Sequence, residues 1–270
     1  HPTACPESVL AWDVVDYVLR GEGEAAMPQL ARSLKDGISP VSVPGIGFRD
    51  AGGRVHLNSP AIIANLDHQQ LPALHLLRND YYKRAAGNTT VIMTSRGCPM
   101  RCSYCSMGDS SVLPYRRRSE EGIMDELDVA IKNGARFIDF EDEHLSLKRA
   151  PFIRILEQLI AKYSGLDLEL RAMNGLYPPS LDLEIISAMQ ATGFKTLNLS
   201  LGSFSKAQLN RFNRPDVRDA HDRALEMAQR YGMDAVSYII GAAPGQTADS
   251  SLEDLLMLAQ RRTLAGFSVF

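Results

Sequence analysis

From about residue 88, short apolar runs rich in β-branched and aromatic residues alternate with longer stretches whose apolar residues recur at helical spacing. The short runs predict six strands: Thr89–Thr94, Arg136–Phe140, Leu166–Arg171, Thr196–Leu201, Ala235–Ile240 and Gly266–Phe270. The stretches between them predict five helices: Glu120–Lys132, Pro151–Tyr163, Leu181–Ala191, Arg218–Tyr231 and Ser250–Arg262. This alternation indicates an α/β fold with parallel strands and right-handed crossovers. The pattern alone fits an incomplete barrel or an open doubly wound sheet equally well.

The first eighty residues have a different pattern. A helical stretch covers Ala25–Leu34, and closely spaced glycines and prolines then separate short strands such as Ile46–Arg49 and Arg54–Leu57. Pro60–Arg78 is interpreted as a connecting arm. We therefore predict two parts, residues 1–80 and residues 81–270.

Composition and charge exclude several classes of partner. The formal net charge of the 270 residues is −3, which gives no sign of a broad basic surface for nucleic acid. No apolar run reaches the roughly 18–20 residues that span a membrane, and no secretory leader is present. These features predict a cytoplasmic protein. Because the chain begins at His1 and ends in an apolar run at Phe270, we expect it to be a piece of a longer protein.

Three of the four cysteines, Cys98, Cys102 and Cys105, lie within eight residues of one another, and Cys5 is remote. Clustered thiols in a large chain without a secretory leader indicate a metal centre rather than a disulfide framework. They follow the end of the first predicted strand, the edge at which parallel α/β folds place their chemistry. Three thiolates on one loop can bind three irons of a cubane cluster and leave the fourth iron open.

Two alternatives would make the protein a non-enzymatic module. A structural zinc site usually has four protein ligands in two separated pairs, and no second cysteine pair exists here. A ferredoxin-type electron carrier would need a fourth cysteine for its cluster. An enzymatic activity separates an enzyme from either alternative.

The spacing Cys-x3-Cys-x2-Cys after the first strand, with Tyr104 before the last cysteine, resembles the signature of the radical S-adenosylmethionine (SAM) superfamily, and the resemblance covers residues ~88–270. It implies a partial (βα)6 parallel barrel and a [4Fe-4S] cluster on Cys98, Cys102 and Cys105, whose unique iron chelates SAM. It further implies reductive cleavage of SAM to a 5′-deoxyadenosyl radical, with an electron donor such as flavodoxin or ferredoxin.

The same resemblance implies that SAM is contacted at the ends of successive strands. Tyr104 lies in the cysteine motif, and Glu141, Asp142 and Glu143 follow the second strand, with Asp142 in the best register for the SAM ammonium. The remaining candidates lie at the ends of the third and fourth strands or just after the fifth: Arg171, Ser200, Gly241, Pro244 and Gly245.

Each of these candidates also has a structural interpretation. The acidic run can be a solvated loop, Arg171 can form a salt bridge, and the hydroxyl of Ser200 can face the core. Gly202-Ser203 departs from the Glu-Ser common in the family, which leaves a ribose contact there in doubt. An ordinary helix-boundary role is sufficient for Arg214-Pro215.

In the first part, Asp16–Glu24, Pro44–Arg49 and Asn65-Leu-Asp67 before Leu71-Pro72 resemble the end of a Rossmann-like cobalamin-binding domain. The glycines of these segments can also simply form turns. The cobalamin (vitamin B12)-associated branch of the radical SAM superfamily joins such a domain to the barrel. The resemblance implies that residues 1–80 are the C-terminal remnant of that domain, that residues 81–270 are a core truncated after its sixth strand, and that cobalamin is a cofactor of the full-length protein. The reaction it implies is methyl transfer, a rearrangement or a ring closure on a small molecule or peptide. A methylthiotransferase would need three further cysteines, and only Cys5 is spare.

Overall fold

The computed structural model describes residues 2–78, 81, 83–84, 87–107 and 113–270. The elements before the cysteine loop are α1 (Pro6–Leu10), β1 (Tyr17–Leu19), α2 (Gly23–Lys35), β2 (Ile46–Arg49), β3 (Val55–Leu57), β4 (Lys83–Arg84), β5 (Gly87–Ile92) and β6 (Ser95–Arg96). Those after it are β7 (Arg116–Arg117), α3 (Glu120–Lys132), β8 (Ala135–Phe140), α4 (Arg149–Tyr163), β9 (Glu169–Ala172), α5 (Leu183–Thr192), β10 (Thr196–Gly202), α6 (Lys206–Arg211), α7 (Arg218–Arg230), β11 (Asp234–Gly241), α8 (Ala248–Ala259) and β12 (Leu264–Val269).

The six strands predicted after residue 88 correspond to β5, β8, β9, β10, β11 and β12. β5, β8 and β9 pair in parallel in one sheet, and β10, β11 and β12 pair in parallel in another. Isolated parallel bridges, one of them Leu170 to Phe194, connect the two sheets, so the strands follow one another in chain order. A doubly wound sheet reverses its strand order at a switch point, whereas a barrel does not. The partial (βα)6 barrel is therefore confirmed.

Local sequence explains where the helices begin. Ser119 accepts a hydrogen bond from the backbone N–H of Gly122, and two glutamates occupy the first turn of α3, where the helix dipole favours negative charge. Asp182 caps α5 in the same way, and Thr247 forms a capping box with Ser250 at the start of α8. These caps shift two predicted boundaries: α5 begins two residues later than predicted, and α8 begins two residues earlier.

The main core lies between the strands and the helices that cover them. Phe140 of β8, Phe152 of α4 and Phe194 are fully buried there, and the rings of Phe140 and Phe194 stack with centroids 6.0 Å apart. Each such side chain contributes about 1.5–3 kcal/mol by burial. This packed layer holds the carboxyl ends of the parallel strands at one edge of the barrel.

Residues before the barrel form a small unit with its own core. β1, β2 and β3 make an antiparallel sheet, and α2 packs Ala26 and Leu30 against Val43 and Ile46. The division at residue 80 stays a prediction. In the described part of the chain, no helix is both long and apolar enough to cross a membrane.

A buried histidine links α7 to the strands beneath it. His221 Nε2 lies 2.7 Å from Ser237 Oγ, and its Nδ1 lies 3.1 Å from a carboxylate oxygen of Asp222, which also pairs with Arg261. Burial lowers the pKa of His221, and the positive charge of Arg261 acts in the same direction. The imidazole is therefore neutral in the folded protein near neutral pH.

This histidine predicts a pH dependence of stability. Unfolded histidine has a pKa of about 6.5, so below that pH the unfolded state binds a proton that the folded state does not. The stabilisation is complete above about pH 6.5 and is lost as the pH falls towards the lowered pKa, by at most about 1.4 kcal/mol per pH unit. Urea unfolding between about pH 7.5 and 5.5 should show a smaller pH dependence in His221→Gln than in the native protein. Equal slopes would contradict this role.

Candidate functional site

The three clustered cysteines lie on the loop between β6 and β7. Cys98 is half-buried, Cys102 is buried and Cys105 is exposed. Two hydrogen bonds connect the loop to the segment after α6. The backbone N–H of Ser103 donates to the carbonyl of Phe212 at 2.9 Å, and the side-chain amide of Asn213 donates to the carbonyl of Arg101. Cys5, also exposed, precedes α1 in the N-terminal unit, and its side chain makes no capping hydrogen bond there.

Cys98, Cys102 and Cys105 line one cavity of about 390 Å³. Its other walls come from the carboxyl ends of β8, β10, β11 and β12, through Glu143, Ser200, Ile240 and Ser268. This volume lies within the range of about 300–1,000 Å³ common for small-molecule sites. The predicted meeting of the cysteine loop with the strand ends is thus observed.

The cysteine geometry bears on the kind of metal centre. Among the residues that the structure describes, no three His, Cys, Asp or Glu side chains form a group that could hold a single metal ion. Burial raises the pKa of the Cys98 thiol, and the neighbouring Cys105 and Cys102 raise it further. Three thiols that line one cavity provide the protein ligands for a cubane iron–sulfur cluster in which each thiol binds a different iron.

The acidic run after β8 divides into two environments. Asp142 is 2% exposed, and its carboxylate accepts hydrogen bonds from the backbone and side chain of Thr94 and from the hydroxyl of Ser95, at 2.6–3.0 Å. It therefore holds the base of the cysteine loop and does not line the cavity.

Glu143 does line the cavity, beside Cys98, and accepts a hydrogen bond from the backbone N–H of Gly97 at 3.1 Å. Burial raises the pKa of Glu143. Sequence register favoured Asp142 as the contact to the SAM ammonium, whereas the geometry favours Glu143 for that role.

Arg214 is a buried cation, 7% exposed, in the wall of the same cavity. Its guanidinium donates to the carbonyls of Ser200 and Leu201 and to the hydroxyl of Tyr104, the last at 3.3 Å. Its Nη1 also lies 3.9 Å from Cys102 Sγ. The sequence assigned Arg214 only a helix-boundary role, because a buried arginine after a short helix has the same sequence signal as an exposed one.

His144 is a second cavity residue that the sequence did not single out. It is 5% exposed, its ring packs edge-on against Tyr177 with centroids 5.3 Å apart, and its Nδ1 has no hydrogen-bond partner. Burial lowers the pKa of His144 to about 4, so the ring is neutral at physiological pH. The free nitrogen is available to a molecule bound in the cavity, because His144 lines it.

The remaining candidates fall into two groups. Tyr104 and Ser200 line the cavity, and burial raises the pKa of Tyr104 to about 12, so its hydroxyl stays protonated. The other candidates do not line it: Glu141, Asp142, Arg171, Gly241, Pro244 and Gly245. Arg171 forms a bidentate salt bridge with Asp139 at 2.6 and 2.7 Å. This is the salt bridge that the sequence analysis gave as the alternative to a SAM contact.

Gly245 has a structural reason to be glycine. Its φ of +81° is left-handed, and a Cβ there would lie 2.5 Å from Nη1 of Arg211. The same Nη1 donates to the Gly245 carbonyl at 2.7 Å. The Pro-Gly turn after β11 is therefore fixed to the end of α6.

The chain is similar to a known family and to curated proteins. Residues 92–259 match the family model of the radical SAM superfamily. The chain is 28% identical over 252 residues to an uncharacterized methyltransferase of Pyrococcus horikoshii, covering 92% of this chain and 54% of that protein. It is 27% identical over 257 residues to the anaerobic magnesium-protoporphyrin IX monomethyl ester cyclase of Rubrivivax gelatinosus, covering 91% and 45%.

A solved structure shares the fold over almost the whole chain. The radical S-adenosylmethionine methyltransferase TsrM from Kitasatospora setae, with tryptophan and a SAM analogue bound, has a TM-score of 0.80 at 18% identity, covering 99% of this chain and 53% of TsrM. Another structure of TsrM contains cobalamin and a [4Fe-4S] cluster. The chain spans about half the length of these relatives.

The family model covers more than half of the chain and begins at the end of β5, so it includes the cysteine loop and the strand ends that line the cavity. The chain belongs to the radical SAM superfamily of enzymes, whose members bind a [4Fe-4S] cluster and SAM.

Proposed function

We propose that this chain is the core of a methyltransferase-type radical SAM enzyme. Cys98, Cys102 and Cys105 hold its [4Fe-4S] cluster, and the cavity they line holds SAM. One observation carries the proposal: the three thiols, a carboxylate and a buried guanidinium all face the same cavity of about 390 Å³. These groups match the charges of SAM next to a cluster with one open iron.

The charged groups suit the methionine end of SAM. The carboxylate of Glu143 is matched to the ammonium, and the guanidinium of Arg214 is matched to the carboxylate. Both lie beside cysteines, Glu143 next to Cys98 and Arg214 next to Cys102. The amino and carboxylate groups of SAM would thus face the cluster.

The chain supplies binding, orientation and exclusion of water. The reduced cluster, when bound, supplies the single electron that cleaves SAM to methionine and a 5′-deoxyadenosyl radical. Tyr104 covers the cavity wall with its ring edge-on to Phe212, and its hydroxyl, held by Arg214, stays protonated. His144 offers a neutral nitrogen to the bound molecule.

Methyl transfer is the reaction class that two of these relatives support, whereas the Rubrivivax relative is a cyclase. The Pyrococcus protein and TsrM both carry a methyltransferase name, and TsrM has been seen with cobalamin. We therefore propose cobalamin as a cofactor of a full-length protein comparable to these relatives, with flavodoxin or ferredoxin as the electron donor. Anaerobically reconstituted protein given dithionite and SAM should release 5′-deoxyadenosine slowly without a substrate. A metal carrier would leave SAM intact.

Glu143→Gln should weaken SAM binding and leave the iron content unchanged. The variant keeps the size of the side chain and loses the charge opposite the ammonium. A charge-assisted hydrogen bond is worth about 1.5–3 kcal/mol, so the dissociation constant should rise about 10–100-fold. Calorimetric titration of the reconstituted protein with SAM measures it.

Glu141→Gln is the matched control, because Glu141 belongs to the same acidic run but does not line the cavity. Its SAM affinity should equal that of the native protein. If Glu141→Gln weakens binding and Glu143→Gln does not, the ammonium site lies elsewhere in the run.

A further inference from the structure

The loop that carries the cysteines begins and ends at one short ladder. β6 and β7 pair antiparallel, with Ser95 opposite Arg117 and Arg96 opposite Arg116. The loop of residues 97–115 therefore begins directly after Arg96 and ends directly before Arg116. This pair of arginines is called the neck of the loop. The described part of this loop includes all three cysteines.

Both arginines of the neck are held by one carboxylate from the N-terminal unit. Arg96 Nη1 donates to Glu22 Oε1 at 2.8 Å, and Arg116 Nη1 donates to Glu22 Oε2 at 2.5 Å. Glu22 Oε2 also accepts the backbone N–H of Ile63 at 2.6 Å, and Arg116 Nη1 donates to the carbonyl of the same residue. The Glu22 side chain is buried, and Arg116 is more deeply buried than Arg96, so the contact between Glu22 and Arg116 is the more shielded of the two.

The charges make Glu22 difficult to replace. Two guanidinium groups that meet at one point repel each other, and a shared carboxylate converts the repulsion into attraction. Burial alone would raise the pKa of Glu22, but hydrogen bonds from Arg116, Ile63 and Arg96 outweigh it and lower the pKa. Removing one partner from a buried ion pair is costly, because it leaves the other charge uncompensated.

The neck has little freedom to move without moving the site. Gly97 lies between Arg96 and Cys98, and its φ is +82°. A Cβ at Gly97 would lie only 2.6 Å from the carbonyl oxygens of Leu113 and Pro114, so the backbone is tightly packed there. The Gly97 N–H donates to Glu143, which lines the cavity. A displaced Arg96 would therefore shift both Cys98 and the hydrogen bond to Glu143.

We infer that Glu22 is a positioning residue for the iron–sulfur cluster: through Arg96 and Arg116 it fixes the neck of the cysteine loop. The inference rests on the proposed function, because it assumes that the three cysteines hold the cluster. The N-terminal unit thereby takes part in cluster binding without contributing a ligand.

The test compares Glu22→Gln with Glu24→Gln. Glu24 also binds Arg96, but its side chain is 39% exposed, and no hydrogen bond joins it to Arg116.

Each variant is reconstituted anaerobically with ferrous iron and sulfide. Circular dichroism checks the fold, the loss of iron to a chelator is timed, and the electron paramagnetic resonance (EPR) spectrum of the reduced cluster is recorded. Outer residues that orient metal ligands are worth about 10–100-fold in affinity, so Glu22→Gln should lose iron at least about tenfold faster and show an altered spectrum. Glu24→Gln leaves Glu22 bound to both arginines and removes only a partly exposed ion pair, so its rate of iron loss should stay within about twofold of the native rate.

Each outcome has a separate meaning. If the native protein binds no cluster, or if Cys98→Ala binds it normally, the proposed function fails. If the native protein binds a cluster and Glu22→Gln loses iron at the native rate with the native spectrum, the positioning role is overturned. If Glu22→Gln does not fold, Glu22→Asp decides: the shorter side chain keeps the charge but cannot reach both arginines equally, so it should still lose iron faster than Glu24→Gln. An equal rate would overturn the inference.

Discussion

Replacing Cys98, Cys102 or Cys105 by alanine should reduce the iron bound after anaerobic reconstitution from about four atoms per chain to nearly none. Each thiolate is expected to bind a different iron, so the loss of one leaves a second iron of the cube without a protein ligand. Iron and sulfide analysis of the desalted protein measures the effect.

Cys5→Ala is the control for this result, because Cys5 is exposed and lies in the N-terminal unit rather than at the cavity. It should bind iron as the native protein does. Stoichiometric zinc in protein purified without oxygen, together with no uptake of iron, would contradict the assignment and favour the structural zinc alternative.

Arg214→Met should cause the largest loss of SAM affinity outside the cysteines. The variant keeps an unbranched side chain of similar reach and removes the buried positive charge that we assign to the SAM carboxylate. Truncating one partner of a buried, hydrogen-bonded charge pair costs about 2–5 kcal/mol, so the dissociation constant should rise at least about 30-fold. Calorimetry with SAM, normalised to iron content, measures it.

Arg218→Met provides the matched control from the same segment. Arg218 pairs with Asp216 at the surface, with both side chains 38% exposed, and does not line the cavity. Its SAM affinity should be native. If Arg214→Met lost iron but bound SAM normally when reconstituted, Arg214 would serve the cysteine loop rather than SAM.

The parts of the fold that sequence predicted are those with strong periodic signals. β8 and β10 lie where the sequence pattern indicated. In β10 the fully buried Leu197, Leu199 and Leu201 alternate with half-buried polar residues, which is the period of two that a strand produces. β9 begins at Glu169 rather than Leu166, because the backbone N–H of Leu166 instead closes a turn onto Tyr163 after α4. The ladder of β6 and β7 has two residues per strand, too few for any period to show.

The site was predictable where chemistry depends on spacing and was not where it depends on burial. The cysteine spacing and its place after β5 identified the loop that we propose as the cluster-binding loop. The choice between Asp142 and Glu143 depends on the path of the backbone after β8, which directs the Asp142 carboxylate to Thr94 and places Glu143 in the cavity wall. The positions of Arg214 and Glu22 depend on contacts between segments far apart in the chain, for which a single sequence carries no local signal.

The central claim is that SAM binds at the open iron of a cluster held by Cys98, Cys102 and Cys105. It is tested most directly by the EPR spectrum of the dithionite-reduced protein before and after SAM is added. We expect SAM to change the spectrum of the native protein, and Glu143→Gln to need a higher SAM concentration for the same change. A cluster spectrum that stays unchanged at saturating SAM would contradict the account.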